Sequence, residues 1–294
     1  MKTASTAHQE RDEITNISER DFLKNSSLSS KGKIMEKIAF IGMGNMAQAL
    51  ASGFVKSGKI KAVDIFAYAP NQKKLAENAK RFGFTPCGSL EEAVSKSDTV
   101  FMACKPYQIE DVLKEIKENL KGKALISIAL GWNFEKYQKY LDSSTRVQFI
   151  MPNTPAMVGE GVFLFEKSNS LESDERKEIW ELFSVLGVAE ELPDNLMGIG
   201  GAISGCGPAF VDLFLEAYAD AAVKYGIPRA AAYKLVSQTV LGSAKLQLET
   251  GTHPAVLKDN VCSPAGSTIR GVAALEEAGL RNACIKSIDK IMEK

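Results

Sequence analysis

The chain has 294 residues, 45% of them hydrophobic, which is enough for a sizeable core and about two domains. Its 36 basic and 36 acidic residues cancel, so no net field draws it to nucleic acid or an anionic membrane. No uninterrupted apolar run approaches the roughly 20 residues of a membrane span, and two histidines, His8 and His253, are too few for a histidine-based metal site or triad.

Residues 1–34 are polar and rich in Ser, Lys and Glu, with no apolar stretch for a signal peptide and too many acids (Glu10, Asp12, Glu13, Glu19, Asp21) for a transit peptide. Such a composition cannot offset the entropy of ordering, which predicts a mobile tail dispensable for activity. Lys37–Ile41 then reads as a strand, followed by Gly42-Met43-Gly44-Asn45-Met46-Ala47 and a helix to about Lys56. Strands follow at Val63–Tyr68, Thr99–Ala103, Ala124–Ala129, Val147–Met151, Gly161–Phe165 and Val188–Leu192, with helices over Asn71–Phe82 and Gln108–Leu120. Strands alternating with helices of this length imply an α/β fold, a doubly wound parallel sheet over residues 35–197.

From about Gly198 the alternation stops, and residues 198–294 read as an all-α domain. Pro208–Tyr225 and Pro228–Thr250 are long helices, then come Pro254–Val261, a loop over Cys262–Ser267 and two further helices. The first is apolar round most of its circumference. Its polar stripe, Asp212, Glu216 and Asp220, runs on into Lys224, so it reads as a solvated face before it reads as a catalytic one. A helix of this kind is buried, and some 95 residues cannot wrap it alone, so an intertwined homodimer is the expected solution. Five dispersed cysteines (Cys87, Cys104, Cys206, Cys262, Cys284) without metal-ligand spacing suit reduced thiols in the cytoplasm.

The glycine motif has the context that gives it meaning, a strand before it and a helix after. Gly42 permits a tight turn, Gly44 lets backbone approach a pyrophosphate, and Ala47 is the small third position. The amides of Met43, Asn45 and Met46 lie about the helix start, where a phosphate is favoured. This is the pattern of a Rossmann-type dinucleotide-binding domain; alone it would equally be a tight turn. An NAD enzyme places an acid at the end of the second strand. Asp64 stands at that strand's beginning, whereas the end reads Ala69-Pro70-Asn71-Gln72-Lys73-Lys74, with no carboxylate to repel a 2′-phosphate. NADPH is therefore favoured, with NADH weaker. Pro70 and Asn71 would flank that phosphate, and Ala103, Lys105 and Pro106, after the third long strand, would lie beside the cofactor, although by itself Lys105 reads equally as surface charge.

Four segments, Ile41–Ala47, Lys105-Pro106, Met151-Pro152-Asn153-Thr154-Pro155 and Ser204-Gly205-Cys206-Gly207-Pro208-Ala209, resemble pyrroline-5-carboxylate reductases in order and spacing. Lys258–Ile269 (Lys-Asp-Asn-Val-Cys-Ser-Pro-Ala-Gly-Ser-Thr-Ile) resembles that family's C-terminal signature, with two departures. Ala265 stands where the family usually has glycine, and Cys206 where it usually has serine. The resemblance covers Met35 to the end. It implies NADPH-dependent reduction of a cyclic imine carboxylate to proline, Asn153 against the nicotinamide end, and dimers that assemble further.

The residues suit that chemistry. A protonated imine needs orientation, a hydride and an electrostatic surround, with no metal or strong base. Ser263 offers a hydroxyl and the amides of Gly266, Ser267 and Thr268 open a helix, a carboxylate cradle without arginine. The resemblance implies that Thr268 aims its hydroxyl at the ring nitrogen; by local sequence alone Ser267 or Thr268 is simply a helix cap. His253, before Pro254, reads as a cap or packing group more than a catalytic one. Two rivals remain open on the sequence. A 3-hydroxy acid dehydrogenase would need a lysine on Pro208–Tyr225, which carries only Lys224 at its far end. A non-catalytic dinucleotide sensor would show a damaged substrate loop, and Ser263–Thr268 keeps its donors.

Overall fold

The computed structural model describes residues 35–293, so the expected tail, 1–34, lies outside the described residues. Eight strands form one sheet: β1 (Ile38–Ile41), β2 (Ile65–Tyr68), β3 (Thr85–Pro86), β4 (Thr99–Met102), β5 (Ala124–Ser127), β6 (Arg146–Pro152), β7 (Gly161–Asn169) and β8 (Gly187–Leu192). Their order is β3-β2-β1-β4-β5-β6-β7-β8. The first six are parallel, as expected, whereas β7 runs antiparallel to β6 and β8 parallel to β7. Connection length explains this. Only the turn Thr154–Val158 joins β6 to β7, too short for a crossover, while β7 returns to β8 through a helix.

Helices α1 (Asn45–Lys56), α2 (Gln72–Phe82), α3 (Leu90–Ser95), α4 (Ile109–Ile116), α5 (Phe134–Gln138) and α6 (Ser173–Ser184) cover the sheet. Alternate strand residues feed two separate cores: Ile38 and Phe40 pack with Leu50, Phe54, Leu182 and Phe183, while Ala39 and Ile41 pack with Ile109, Leu113 and Tyr137. That two-sided burial, with strand side chains close to 0% exposed, is what a doubly wound sheet requires. The periodic faces behave as read. Ala47, Leu50, Ala51 and Phe54 form the buried stripe of α1. Asn71 caps α2 by accepting from the Lys74 amide, and Gly83 closes it at φ 81°.

The second domain is all-helical: α7 (Met197–Gly201), α8 (Gly207–Lys224), α9 (Arg229–Thr250), α10 (Pro254–Asn260), α11 (Ser267–Glu277) and α12 (Leu280–Met292). A π-helical turn, Ala202–Cys206, joins α7 to α8, so helix runs on from Asp194 to Lys224 over 31 residues. Its most apolar window has a mean hydropathy of 1.4, which makes it long and apolar enough to cross a membrane by composition. This corrects the sequence expectation that no apolar segment reaches that length. The glycines there do not interrupt the helix; they bring it against the sheet. A Cβ on Gly200 would lie 2.5 Å from Leu192, and one on Gly201 2.6 Å from the Met151 sulfur. Of the predicted carboxylate stripe, Asp212, Glu216 and Asp220 are all exposed, and Asp220 pairs with Arg229 at 2.6 Å.

Candidate active site

The register Ile41↔Tyr68, Ile41↔Met102 and Met102↔Ser127 brings the carboxyl ends of β2, β1, β4 and β5 level. Chain order reverses between β1 and β4, and open α/β sheets bind ligands at such a switch point. Gly42 turns there with φ +99°, its amide donating to the Tyr68 carbonyl at 2.8 Å. A Cβ at Gly42 would stand 2.7 Å from the Ala103 backbone, so the close approach of the β1 and β4 ends admits only glycine. Above Gly44, by contrast, nothing lies within 4 Å of where a Cβ would be. Gly44 is the N-cap of α1 with no side-chain cap bond, and no acid occupies the first turn. The Asn45, Met46 and Ala47 amides thus begin a helix whose positive end is open to an anion.

Pro70 and Asn71 follow β2 beside this turn, both exposed, with Lys73 and Lys74 beyond them. Asp64 sits in a 3-10 turn at the opposite edge of the sheet. Asn71 spends its side-chain oxygen on the α2 cap, accepting from the Lys74 amide at 3.0 Å. Lys105 takes the extended conformation expected before proline (φ −69°, ψ 144°) and is exposed beside Pro106. The neighbouring Cys104 thiol is pushed up to about 11 by burial, so it stays protonated and inert at neutral pH. These residues fit NADPH: open space at the glycine turn, an uncapped helix start, and no carboxylate at the end of β2.

Two expectations at this end change in detail. The Met43 side chain is buried in the core at 5% exposure, so only its backbone faces the turn, and its carbonyl accepts from Gln48 at 2.9 Å. Asn153, aimed at the nicotinamide by the resemblance, is itself buried and held at both ends of its amide. Its Oδ1 accepts from the Val162 amide at 2.8 Å and its Nδ2 donates to the Ser204 carbonyl at 3.0 Å. It therefore straps the β6 loop to the π-helical turn, a task that a sequence reading of its proline-flanked loop does not reveal.

The loop expected to hold substrate lies in the helical domain. Ser263-Pro264-Ala265-Gly266 is a turn closed by the Gly266 amide donating to the Ser263 carbonyl at 3.0 Å. Proline in second place and a left-handed residue in third are the features of a type II turn. Ala265, at φ 57°, is the only non-glycine residue with positive φ among those described, which explains why glycine suits this position. A Cβ on Gly266 would lie 2.4 Å from the Ser263 oxygen. The Gly266 amide is therefore consumed by the turn, which leaves the Ser263 hydroxyl and the Ser267 and Thr268 amides of the expected cradle. Gly266, not Ser267 or Thr268, is the N-cap of α11 and makes no side-chain cap bond, so the Ser267 and Thr268 hydroxyls have no capping duty. Both are exposed, as is Ser263. His253 caps α10 by accepting from the Ala255 amide at 3.2 Å. No hydrogen bond among the described residues joins this loop to the glycine turn.

A glycine turn at the switch of a doubly wound sheet, followed by a helical domain, defines a dinucleotide-dependent oxidoreductase. Residues 37–131 match a family model described as NADP oxidoreductase, coenzyme F420-dependent, and residues 194–294 match one described as pyrroline-5-carboxylate reductase dimerisation. The chain is 41% identical over 255 residues to a pyrroline-5-carboxylate reductase of Treponema pallidum, covering 85% of this chain and 97% of that protein. It is 40% identical over 260 residues to that of Escherichia coli, covering 88% and 97%. A Plasmodium falciparum pyrroline carboxylate reductase solved with NADP bound superposes with a TM-score of 0.79 at 34% identity, covering 88% of this chain and 97% of that one. The chain belongs to the pyrroline-5-carboxylate reductase family.

Proposed function

We infer that the chain reduces the C=N bond of 1-pyrroline-5-carboxylate to give L-proline, with NADPH as the reductant. The observation that carries this reading is the Ser263–Thr268 turn. It presents a hydroxyl and the opening amides of α11 with no side-chain cap against them, in a chain whose sheet carries a dinucleotide turn. When bound, NADPH supplies the hydride to the imine carbon. The chain's own residues do the rest. Gly42, Gly44 and the backbone of Met43, Asn45 and Met46 seat the pyrophosphate; Pro70 and Asn71 flank the 2′-phosphate; Ala103, Lys105 and Pro106 line the face beyond β4. Asn153 acts as the strap that holds its loop in place. Ser263 and the Ser267 and Thr268 amides hold the substrate carboxylate, assisted by the positive end of α11. The Thr268 hydroxyl oxygen accepts from the protonated ring nitrogen and holds that N–H in place as hydride arrives.

The cradle and the cofactor end meet when two copies combine. α8 and α9 leave Leu213, Leu235, Leu241 and Leu248 more than half exposed, an apolar surface that suits a homodimer, which assembles into a larger homo-oligomer. The apolar helix Asp194–Lys224 serves that contact and no membrane. The balanced charge gives no basis for nucleic-acid binding, and five free thiols suit the cytoplasm.

The test is NADPH absorbance with purified protein and pyrroline-5-carboxylate, NADH run in parallel. Substrate-dependent oxidation with stoichiometric proline, faster with NADPH, is expected. NADPH binding without turnover overturns the reading in favour of a dinucleotide sensor.

A further inference from the structure

Beyond the last ladder bond between β4 and β5, where the Ile128 amide donates to the Met102 carbonyl at 3.1 Å, the two chains part into separate loops. One carries Lys105 and Pro106; the other runs from Ile128 to Asn133. A side chain rejoins them. The Trp132 indole N–H donates to the Pro106 carbonyl at 3.0 Å, across 26 residues of sequence. The ring is held firmly for this. It is 2% exposed, 5.0 Å from Tyr137 and 5.2 Å from Tyr140, with the Lys136 ammonium 4.0 Å from its centroid. Tyr137 is in turn fixed, donating to the Ser127 hydroxyl at 3.1 Å, and Ser127 accepts from the Ala129 amide at 3.3 Å. From the other side the Lys105 amide donates to the Gln108 side chain at 3.1 Å. A recess of about 380 Å³ remains between the loops, lined by Pro106, Tyr107, Leu130 and Trp132.

We propose that Trp132 is a positioning residue for NADPH: it acts through the Pro106 carbonyl to fix the spacing of the β4 and β5 loops. This rests on the cofactor placement proposed above. The structure separates such a role from plain stability. Pro106 is exposed, so without the indole its carbonyl finds water, while a phenylalanine at 132 keeps most of the buried ring volume. What is lost is the constraint between the loops, and the affinity that depends on it.

The experiment uses two variants of the full chain. In Trp132→Phe, the NADPH dissociation constant measured by calorimetry rises about three- to tenfold, the worth of one such hydrogen bond. Meanwhile kcat stays within about twofold and the cofactor-free melting temperature within about 2 °C. An unchanged dissociation constant overturns the proposal, as does a fall in melting temperature that accounts for the whole effect. In Trp180→Phe, which leaves Trp132 as the one remaining tryptophan of the two, NADPH quenches the indole emission in a saturable titration. An emission indifferent to NADPH overturns the proposal even if Trp132→Phe fails to fold. Neither binding readout needs turnover, so a wild-type chain that binds NADPH without reducing the imine sinks the enzymatic reading and leaves the clamp standing.

Discussion

The nucleotide half and the helical half are built on opposite terms. In β1, β4 and β5 the side chains are buried on both faces of the sheet, at 5% exposure or less. In α8, 18 residues long, only Ala219 is buried, and in the 22 residues of α9 only Ala232. The first half contains its own core; the second displays one. A groove of about 910 Å³ between β7–β8 and the long helix, lined by Leu164, Leu192, Ile203 and Val211, marks where the contained half gives way to the displayed one. The lesson is a division of labour. The glycine turn is framed by one chain's own core, whereas the proposed substrate cradle rides on a domain whose long helices leave their apolar side chains exposed.

The sharpest way to break that contrast is a charge on the displayed face. Leu213→Asp should leave NADPH binding near wild type while sedimentation shows monomers and reductase activity falls about 100-fold or more. An active oligomer would show that α8 is not the contact. Gly42→Ala attacks the contained half instead. Its Cβ meets the Ala103 backbone at 2.7 Å at a φ alien to alanine, so a stability loss of about 2–4 kcal/mol is expected by urea unfolding. Thr268→Ala should lower kcat/KM about tenfold to a hundredfold, or about 1.4–2.7 kcal/mol, without changing the oligomer; steady-state kinetics unchanged from wild type would remove Thr268 from the mechanism.

Two smaller effects sharpen the picture. Glu166 is buried on β7 with its carboxylate accepting from the Phe134 amide at 2.8 Å, and burial holds it above its ordinary value despite that bond. The folded chain therefore keeps this proton at pH values where the unfolded chain has released it. That contribution to stability is present below the ordinary carboxylate range and is lost as pH rises through the raised value. Glu166→Gln should melt above wild type at neutral pH, with the gap closing on acidification; a gap that is constant in pH would refute this. Ala265→Gly relieves a left-handed alanine worth about 1–2 kcal/mol and gives back about 0.4–1 kcal/mol in unfolded-chain entropy. A net gain of up to about 1.6 kcal/mol should appear in urea unfolding.

The contained half was largely legible in the sequence because its signals are local. Apolar tetrads bounded by turn residues marked β1, β4 and β5, and Gly42 declared the turn. What escaped was set by context. Ser173–Ser184 is mostly charged and polar, and shows its buried Ile179, Leu182 and Phe183 only once β7 and β8 are known to need a crossover. The reversal at β7 depends on a connection length, not on composition. At the site, Pro264 and the family likeness pointed to the loop, but the consumption of the Gly266 amide follows from its three-residue reach to Ser263. The double engagement of Asn153 was hidden because Val162 and Ser204 are distant in sequence.

The π-helical turn carries a consequence of phase. Such a turn holds an extra residue within its hydrogen-bonded ring, and each residue of helix advances about 100° around the axis. Removing one residue from Ala202–Cys206 would make the long helix regular and rotate everything beyond it by roughly that angle. Phe210, Leu213 and Tyr218 would then sweep away from their present bearing, while Asn153 lost the carbonyl it straps. The turn thus works as an azimuthal setting, fixing the compass direction in which a self-sufficient domain offers its unfinished face.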